Sequence, residues 1–424
     1  KDGAGVAVAA TLICCIVPGI LVAQNWDDHD RSGRYVMRDM GYNYLMSALP
    51  NSILMNYGDN DTLPLWYNQE VENIRPDVRI MNLSYLGGGW YAEEMKWKYN
   101  ESDPVPFSIP REKLFYNNDY IYIQELFDYP VDLKQAMKVV MSDDEKTKIR
   151  FSDQTAINFI PARKLYIPVN KENVLKSGLV KPEDADLIVD TLFFELQGST
   201  VEKPDILLLD LLSNYDWSRP LCFTQASSLR NLGLMDYLQY DGFTYRFVPI
   251  KTPYESSWTA GRVDADDLYD KLMNMFRYGN VKDEDVYIDN FSRYNLFSSQ
   301  IRLGFSRLAD EFTARGEKEK ALEILDRGVA ELPFTQLPHN YQTLAYIDSY
   351  YRAGAPEKAD ALLMDYATNL TEYILYYLSF PDSKMGLISA DLDEKYQLLA
   401  QLYHLANDND RKELADALRA YFEE

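Results

Sequence analysis

Between Val6 and Ala23 the chain carries 18 consecutive uncharged residues. Wound as an α-helix, the run is about 27 Å long, just sufficient for the hydrocarbon core of a bilayer. It predicts one transmembrane helix over residues 1–23. A signal peptide competes with this reading, because Pro18 and Gly19 before Ala23 mimic a cleavage region. Against it, Leu21 is a poor residue at the −3 position and no initiating Met precedes the run. The residues just beyond are acidic, Asp27, Asp28 and Asp30, with Arg31 and Arg34 only later. Cytoplasmic flanks are usually rich in Lys and Arg, so the bulk of the chain is expected on the extracytoplasmic, periplasmic side.

The 424 residues are too many for one ordinary core and imply two or three domains. A net charge of −23 without a basic stripe argues against nucleic acid as a partner. Of three cysteines, Cys14 and Cys15 lie inside the apolar run and Cys222 stands alone, so no disulfide framework can be drawn. His29, His339 and His404 are too far apart for a zinc motif, which leaves carboxylates as the available metal ligands.

Residues 24–250 read as an α/β domain with a mostly parallel sheet. Helical spacing from Gly33 to Leu49 is followed by a short apolar strand, Ser52 to Tyr57, and by a helix from Asp59 to about Ile74. A second strand, Val78 to Leu83, completes a βαβ unit, which places its two strands side by side and parallel. Further along, Val131 to Met141 reads as a helix and Lys164 to Val169 and Leu192 to Leu196 as strands. Asp205 is read as the cap of an apolar helix, Ile206 to Leu212, and Leu221 to Thr224 and Phe243 to Ile250 as the last strands. Residues 251–263 read as a linker, and 264–424 as tetratricopeptide-like helical repeats. Gly316 and Gly354 mark turns 38 residues apart, and Ala321 and Ala359 repeat at the same interval inside the helices that follow. A looser third pair spans Asp391 to Phe422, with Ala415 at the matching place. Small residues there let antiparallel helices approach and stack.

Three stretches are candidates for chemistry. Asp59-Asn60-Asp61 stands at the carboxyl end of a strand, where open α/β sheets bind ligands, and resembles the DxD signature of nucleotide-sugar glycosyltransferases; its two carboxylates could hold a divalent cation. The structural alternative makes Asp61 or Thr62 the N-cap of the next helix, with Pro64 in its first turn. Trp66 and Tyr67 could stack on a sugar or belong to the core. Asp27, Asp28, His29 and Arg31 cluster next to the apolar run, either contacting substrate or forming a solvated linker. Gly87-Gly88-Gly89 offers backbone amides to a phosphate or is a plain loop.

Several segments together resemble one family: Asn25 to Tyr35, Asn56 to Thr62 with Leu65-Trp66-Tyr67, Gln69 to Val71, Arg79 to Tyr85, Trp217 to Pro220, and Tyr245 to Ile250. They are similar to the C-terminal region of bacterial membrane proteins related to protein O-mannosyltransferases. These form a glycosyltransferase-C-type family that includes the animal transmembrane O-mannosyltransferase. The resemblance implies a multi-spanning N-terminal half that holds the catalytic acidic residue and uses a lipid-linked sugar donor. That half is absent from this sequence, apart from what looks like its last span, so no catalytic residue is carried over. The expectation is an accessory region that positions an acceptor protein or peptide. A self-contained metal enzyme centred on Asp59 and Asp61, and a helical-repeat scaffold, are the alternatives.

Overall fold

The computed structural model describes residues 3–115, 119–152, 156–256, 259–289 and 298–423. The apolar run forms helix α1 (Gly3–His29), of which Gly3–Trp26 is long and apolar enough to cross a membrane and is not buried against the rest of the chain. α1 continues six residues past Ala23, so the segment read above as a linker is helical as far as His29. No Gly or Pro interrupts it there, and polar side chains bond back one turn: Asn25 Nδ2 donates to the Leu21 carbonyl at 2.9 Å, and His29 Nδ1 lies 2.9 Å from the Asn25 carbonyl. Asp30 then turns the chain by accepting from the Ser32 amide at 2.9 Å.

Helix α2 (Val36–Ser47), strand β1 (Ile53–Asn56), helix α3 (Asp59–Glu70) and strand β2 (Arg79–Asn82) follow in the expected order. β1 and β2 pair in parallel with Ile53 opposite Arg79 and Asn56 opposite Asn82. Both strands are buried throughout, as a parallel pair covered by helices requires. α3 stops at Glu70 rather than near Ile74, because Asn73 and Arg75 adopt left-handed backbone conformations that a helix cannot contain (φ 53° and 52°). α2 lies so close to α3 that a Cβ at Gly41 would come within 2.4 Å of the Pro64 carbonyl oxygen.

β1 and β2 form one side of a six-stranded sheet whose spatial order is Arg262–Val263, Leu238–Tyr240, Tyr245–Phe247, Leu221–Phe223, β1, β2. Parallel pairing holds on the β1 side, whereas Tyr245–Phe247 runs antiparallel to both of its neighbours. A four-stranded and a three-stranded sheet, both mixed, complete the α/β region. Two local readings need correction. Val131–Asp132 pairs with Leu165–Tyr166, so the helix there starts at Leu133, with Asp132 as its cap accepting from the Gln135 amide at 3.1 Å. The apolar helix near 206 spans Lys203–Ser213 and follows Glu202, which leaves Asp205 inside its first turn instead of capping it. Burial pushes the Asp205 carboxyl up to about 6.

Residues 251–263 end in a strand of the main sheet. Arg307 fixes that strand by donating to the carbonyls of Ala260 (2.9 Å) and Gly261, with its guanidinium 4.6 Å from the centre of the Tyr240 ring. Asp241 accepts two hydrogen bonds from Arg246 (2.7 and 2.9 Å) and lies 3.3 Å from Lys271 Nζ, all three groups being buried. The chain then clips onto α2, where Asn43 exchanges two hydrogen bonds with the Arg277 backbone at 2.7 and 2.9 Å.

Helices fill the C-terminal region: Ser298–Ala314, Lys318–Glu331, Gln342–Ala353, Pro356–Leu378, Asp382–Asp408 and Lys412–Glu423. Gly316 and Gly354 make their turns with φ of 82° and 88°, values glycine reaches without Cβ strain. Ala321, Ala359 and Ala415 are buried where the helices meet.

Candidate functional site

At the carboxyl ends of β1 and β2 the chain turns through Gly58, whose φ of 77° precedes the first turn of α3. Gly58 is the capping residue, so neither Asp61 nor Thr62 has the N-cap role considered above. Thr62 is fully buried; its hydroxyl donates to the Gly58 carbonyl at 2.7 Å and meets the amides of Asn56 and Asn82, the latter at 2.8 Å. These bonds tie both strand ends to the helix.

Asp61 is 5% exposed. It accepts from the Thr224 hydroxyl at 2.8 Å, from the Tyr57 amide and from the Tyr44 hydroxyl, thereby joining α3, α2 and the end of Leu221–Phe223. Burial raises its pKa against the opposing effect of these bonds, and burial raises that of Tyr44 strongly. Asp59 and Asn60 are exposed, and Asp59 accepts from the Tyr85 hydroxyl at 2.6 Å. The two carboxylates therefore take different partners. Among the described residues no three His, Cys, Asp or Glu side chains gather into a metal-binding group.

The membrane-proximal candidates are spread along the end of α1. Asp27 and Asp28 belong to its backbone, but their side chains lie outside what the structure describes; His29 and Arg31 are exposed. Gly87-Gly88-Gly89 forms no extended loop: a short turn, Tyr85–Gly87, leads directly into helix α4 (Gly89–Glu94).

Trp66 and Tyr67 part company. Tyr67 is exposed and donates to Glu72 Oε1 at 3.1 Å. Trp66 lines a groove of about 360 Å³ between α3, the start of β2 and the segment from Trp90 to Tyr99. Arg79, the first residue of β2, contributes to its lining at the end of the sheet opposite Asp59 and Asp61. Tyr91 holds the wall in place by accepting from the Asn82 amide at 2.9 Å, and burial pushes its phenol up to about 12. Tyr99 is held by its hydrogen bond to Glu70 Oε1 at 3.0 Å. From this groove the sequence singles out Trp66 as a candidate, with Gln69, Arg79 and Ile80 present only in the segments that carry the family resemblance. Trp90, Trp97 and Tyr99 were signalled by an unusual density of aromatics interleaved with Lys96 and Lys98.

Fold and grooves together define a membrane-length helix leading into a mixed α/β domain that is continued by paired helices. Within that class the chain belongs to the TMEM260-associated domain 2 family, whose model matches residues 37–267, more than half of the sequence. The match runs from α2 to the helix Ala265–Asp270 and so contains the strand ends and the aromatic groove. No curated protein and no solved structure matches the chain.

Proposed function

We propose that this chain is the extracytoplasmic, acceptor-positioning region of a membrane glycosyltransferase that draws on a lipid-linked sugar donor. The observation that carries the reading is the family match and its placement. The matched domain starts at Met37, and α1 ends at His29. The few residues between span at most about 25 Å even when fully extended. The domain is thereby tethered next to the end of a membrane-length helix, at the height where a lipid-linked donor would present its phosphate. Arg34, stacked 4.3 Å from the centre of the Tyr287 ring, secures the connection to the folded part. Asp61, the best-placed carboxylate of the strand ends, is occupied in holding three elements together, which favours positioning over catalysis within this domain. The helical pairs would extend the acceptor surface.

The test is binding. The chain in lipid nanodiscs is titrated with Ser- and Thr-bearing peptides and with folded secreted domains, before and after enzymatic glycosylation of the acceptor. The proposal expects unmodified acceptors to be retained and glycosylated ones released. Failure to retain any acceptor, or equal retention of both forms, would overturn it.

A further inference from the structure

The aromatic groove contains a cation that the protein itself leaves incompletely partnered. Arg79 is 3% exposed, and its Nη2 donates to the Glu94 carbonyl oxygen at 3.1 Å. Its Nε and Nη1 are buried and have no hydrogen-bonding partner among the described residues. The ring of Tyr99, centred 5.4 Å from the guanidinium carbon, compensates it only in part. Burial lowers the pKa of the guanidinium, the direction expected of a desolvated charge. Buried charges are ordinarily paired, and an unpaired one that persists invites an acceptor of opposite charge from outside.

The walls show what else such a ligand carries. Trp90, Trp97 and Tyr99 are 57%, 60% and 49% exposed, so three large rings stand open to solvent around the same hollow, with Trp66 half-buried behind them. The volume of about 360 Å³ lies at the lower end of ligand pockets and suits one or two six-membered rings. Flat aromatic faces at an open rim suit the C–H faces of pyranose rings. Lys98 joins Arg79 in the lining, where Glu94 is the one carboxylate among the described lining residues, and Glu70 at the rim is taken up by the Tyr99 hydroxyl. In a chain with a net charge of −23, two cations lining one hollow, one of them incompletely partnered, favour an anion there.

We propose that the groove binds an acidic saccharide, one or two pyranose rings stacked on Trp90 and Trp97 with a carboxylate or phosphate paired to Arg79. The inference rests on the groove alone and stands whether or not the chain serves a glycosyltransferase.

Three of the six tryptophans line the groove, so intrinsic fluorescence reports its occupancy. The full chain in nanodiscs is titrated with methyl glucuronide, glucose 6-phosphate, neutral methyl glucoside and a short acidic peptide, with calorimetry as a second readout. Both acidic sugars, or one of them, should bind at least tenfold more tightly than the neutral glucoside; the tighter of the two identifies the acid group. Arg79→Met should abolish that preference. Trp97→Ala, a change at an exposed rim position, should weaken binding at least tenfold while leaving the unfolding transition in place. The proposal is overturned if neither acidic sugar binds, if the neutral sugar binds equally, if the peptide binds more tightly than both sugars, or if both variants retain wild-type affinity.

Discussion

Replacing Asp61 by Ala tests whether the strand-end carboxylate is structural. The side chain is nearly inaccessible and accepts from Thr224, Tyr57 and Tyr44, so its removal strands three donors, of which Thr224 and Tyr44 are buried. An unsatisfied buried donor costs about 1–3 kcal/mol, and two of these three are hydroxyls that can rotate toward other acceptors. A loss of about 3 kcal/mol is therefore expected, measured by urea unfolding of the full chain followed by near-ultraviolet circular dichroism. Combining Asp61→Ala with Thr224→Val should give a coupling energy of about 1–2 kcal/mol, since both changes delete one bond. The pH dependence has a definite sign. Burial raises the folded-state pKa of Asp61, so the folded protein binds the proton more tightly than the unfolded chain. This group's contribution is greatest below the unfolded-state value of about 3.9 and declines as pH rises from there through the raised folded-state pKa. Asp61→Asn should accordingly gain on the wild type over that window. A loss below about 0.5 kcal/mol for Asp61→Ala, the level of an ordinary surface change, would mean that the carboxylate does not hold these elements together. So would a melting temperature raised by Mg²⁺ or Mn²⁺ in the wild type but not in the variant.

Three further outcomes follow from close packing and buried charge. Gly41→Ala should destabilise the α/β domain by about 1–3 kcal/mol in thermal unfolding, because its methyl group would press on the backbone of α3 at Pro64. Gly328→Ala should loosen the helical region, seen as faster hydrogen exchange between 298 and 378, since the added carbon collides with the Tyr346 hydroxyl and the Phe305 ring. For Asp241, burial pushes the carboxyl up but Arg246 and Lys271 outweigh it and hold it below the ordinary carboxylate range. Its stabilisation is present above about pH 4 and is lost as pH falls through the depressed folded-state value. Asp241→Asn should cost about 3 kcal/mol at neutral pH by leaving Asp267, 2.7 Å from Lys271 and 3.7 Å from Arg246, as the remaining counter-charge of both buried cations, and should flatten the acid limb of an unfolding-against-pH curve.

Periodicity and turn residues carried much of the architecture. The order β1, α3, β2 was readable because a short apolar run, a glycine turn and a helical pattern follow one another within 30 residues. The helical pairs were readable from Gly316 and Gly354, whose turns require positive φ. The third turn escaped the same rule because Asp410 takes the left-handed conformation there (φ 59°) instead of a glycine. Leu238–Tyr240 and Arg262–Val263 are too short to show alternation and exist only through sheet neighbours. The role of Asp61 was hidden for a similar reason, since its partner Thr224 lies 163 residues away and a local rule sees only a helix start. Of the groove's aromatic residues sequence pointed to Trp66 alone, and the burial and incomplete pairing of Arg79 arise from packing.

On the function proposed above, the chain positions an acceptor and leaves sugar transfer to another part of the enzyme. The most direct measurement is the intact mass of a secreted acceptor protein after incubation with the nanodisc-embedded chain and a lipid-linked sugar donor, with no other membrane protein present. An unchanged acceptor mass, with the acceptor nonetheless bound to the chain, is the predicted result. A mass increase of one sugar that disappears in Asp59→Asn would contradict the claim and make this chain an enzyme in its own right.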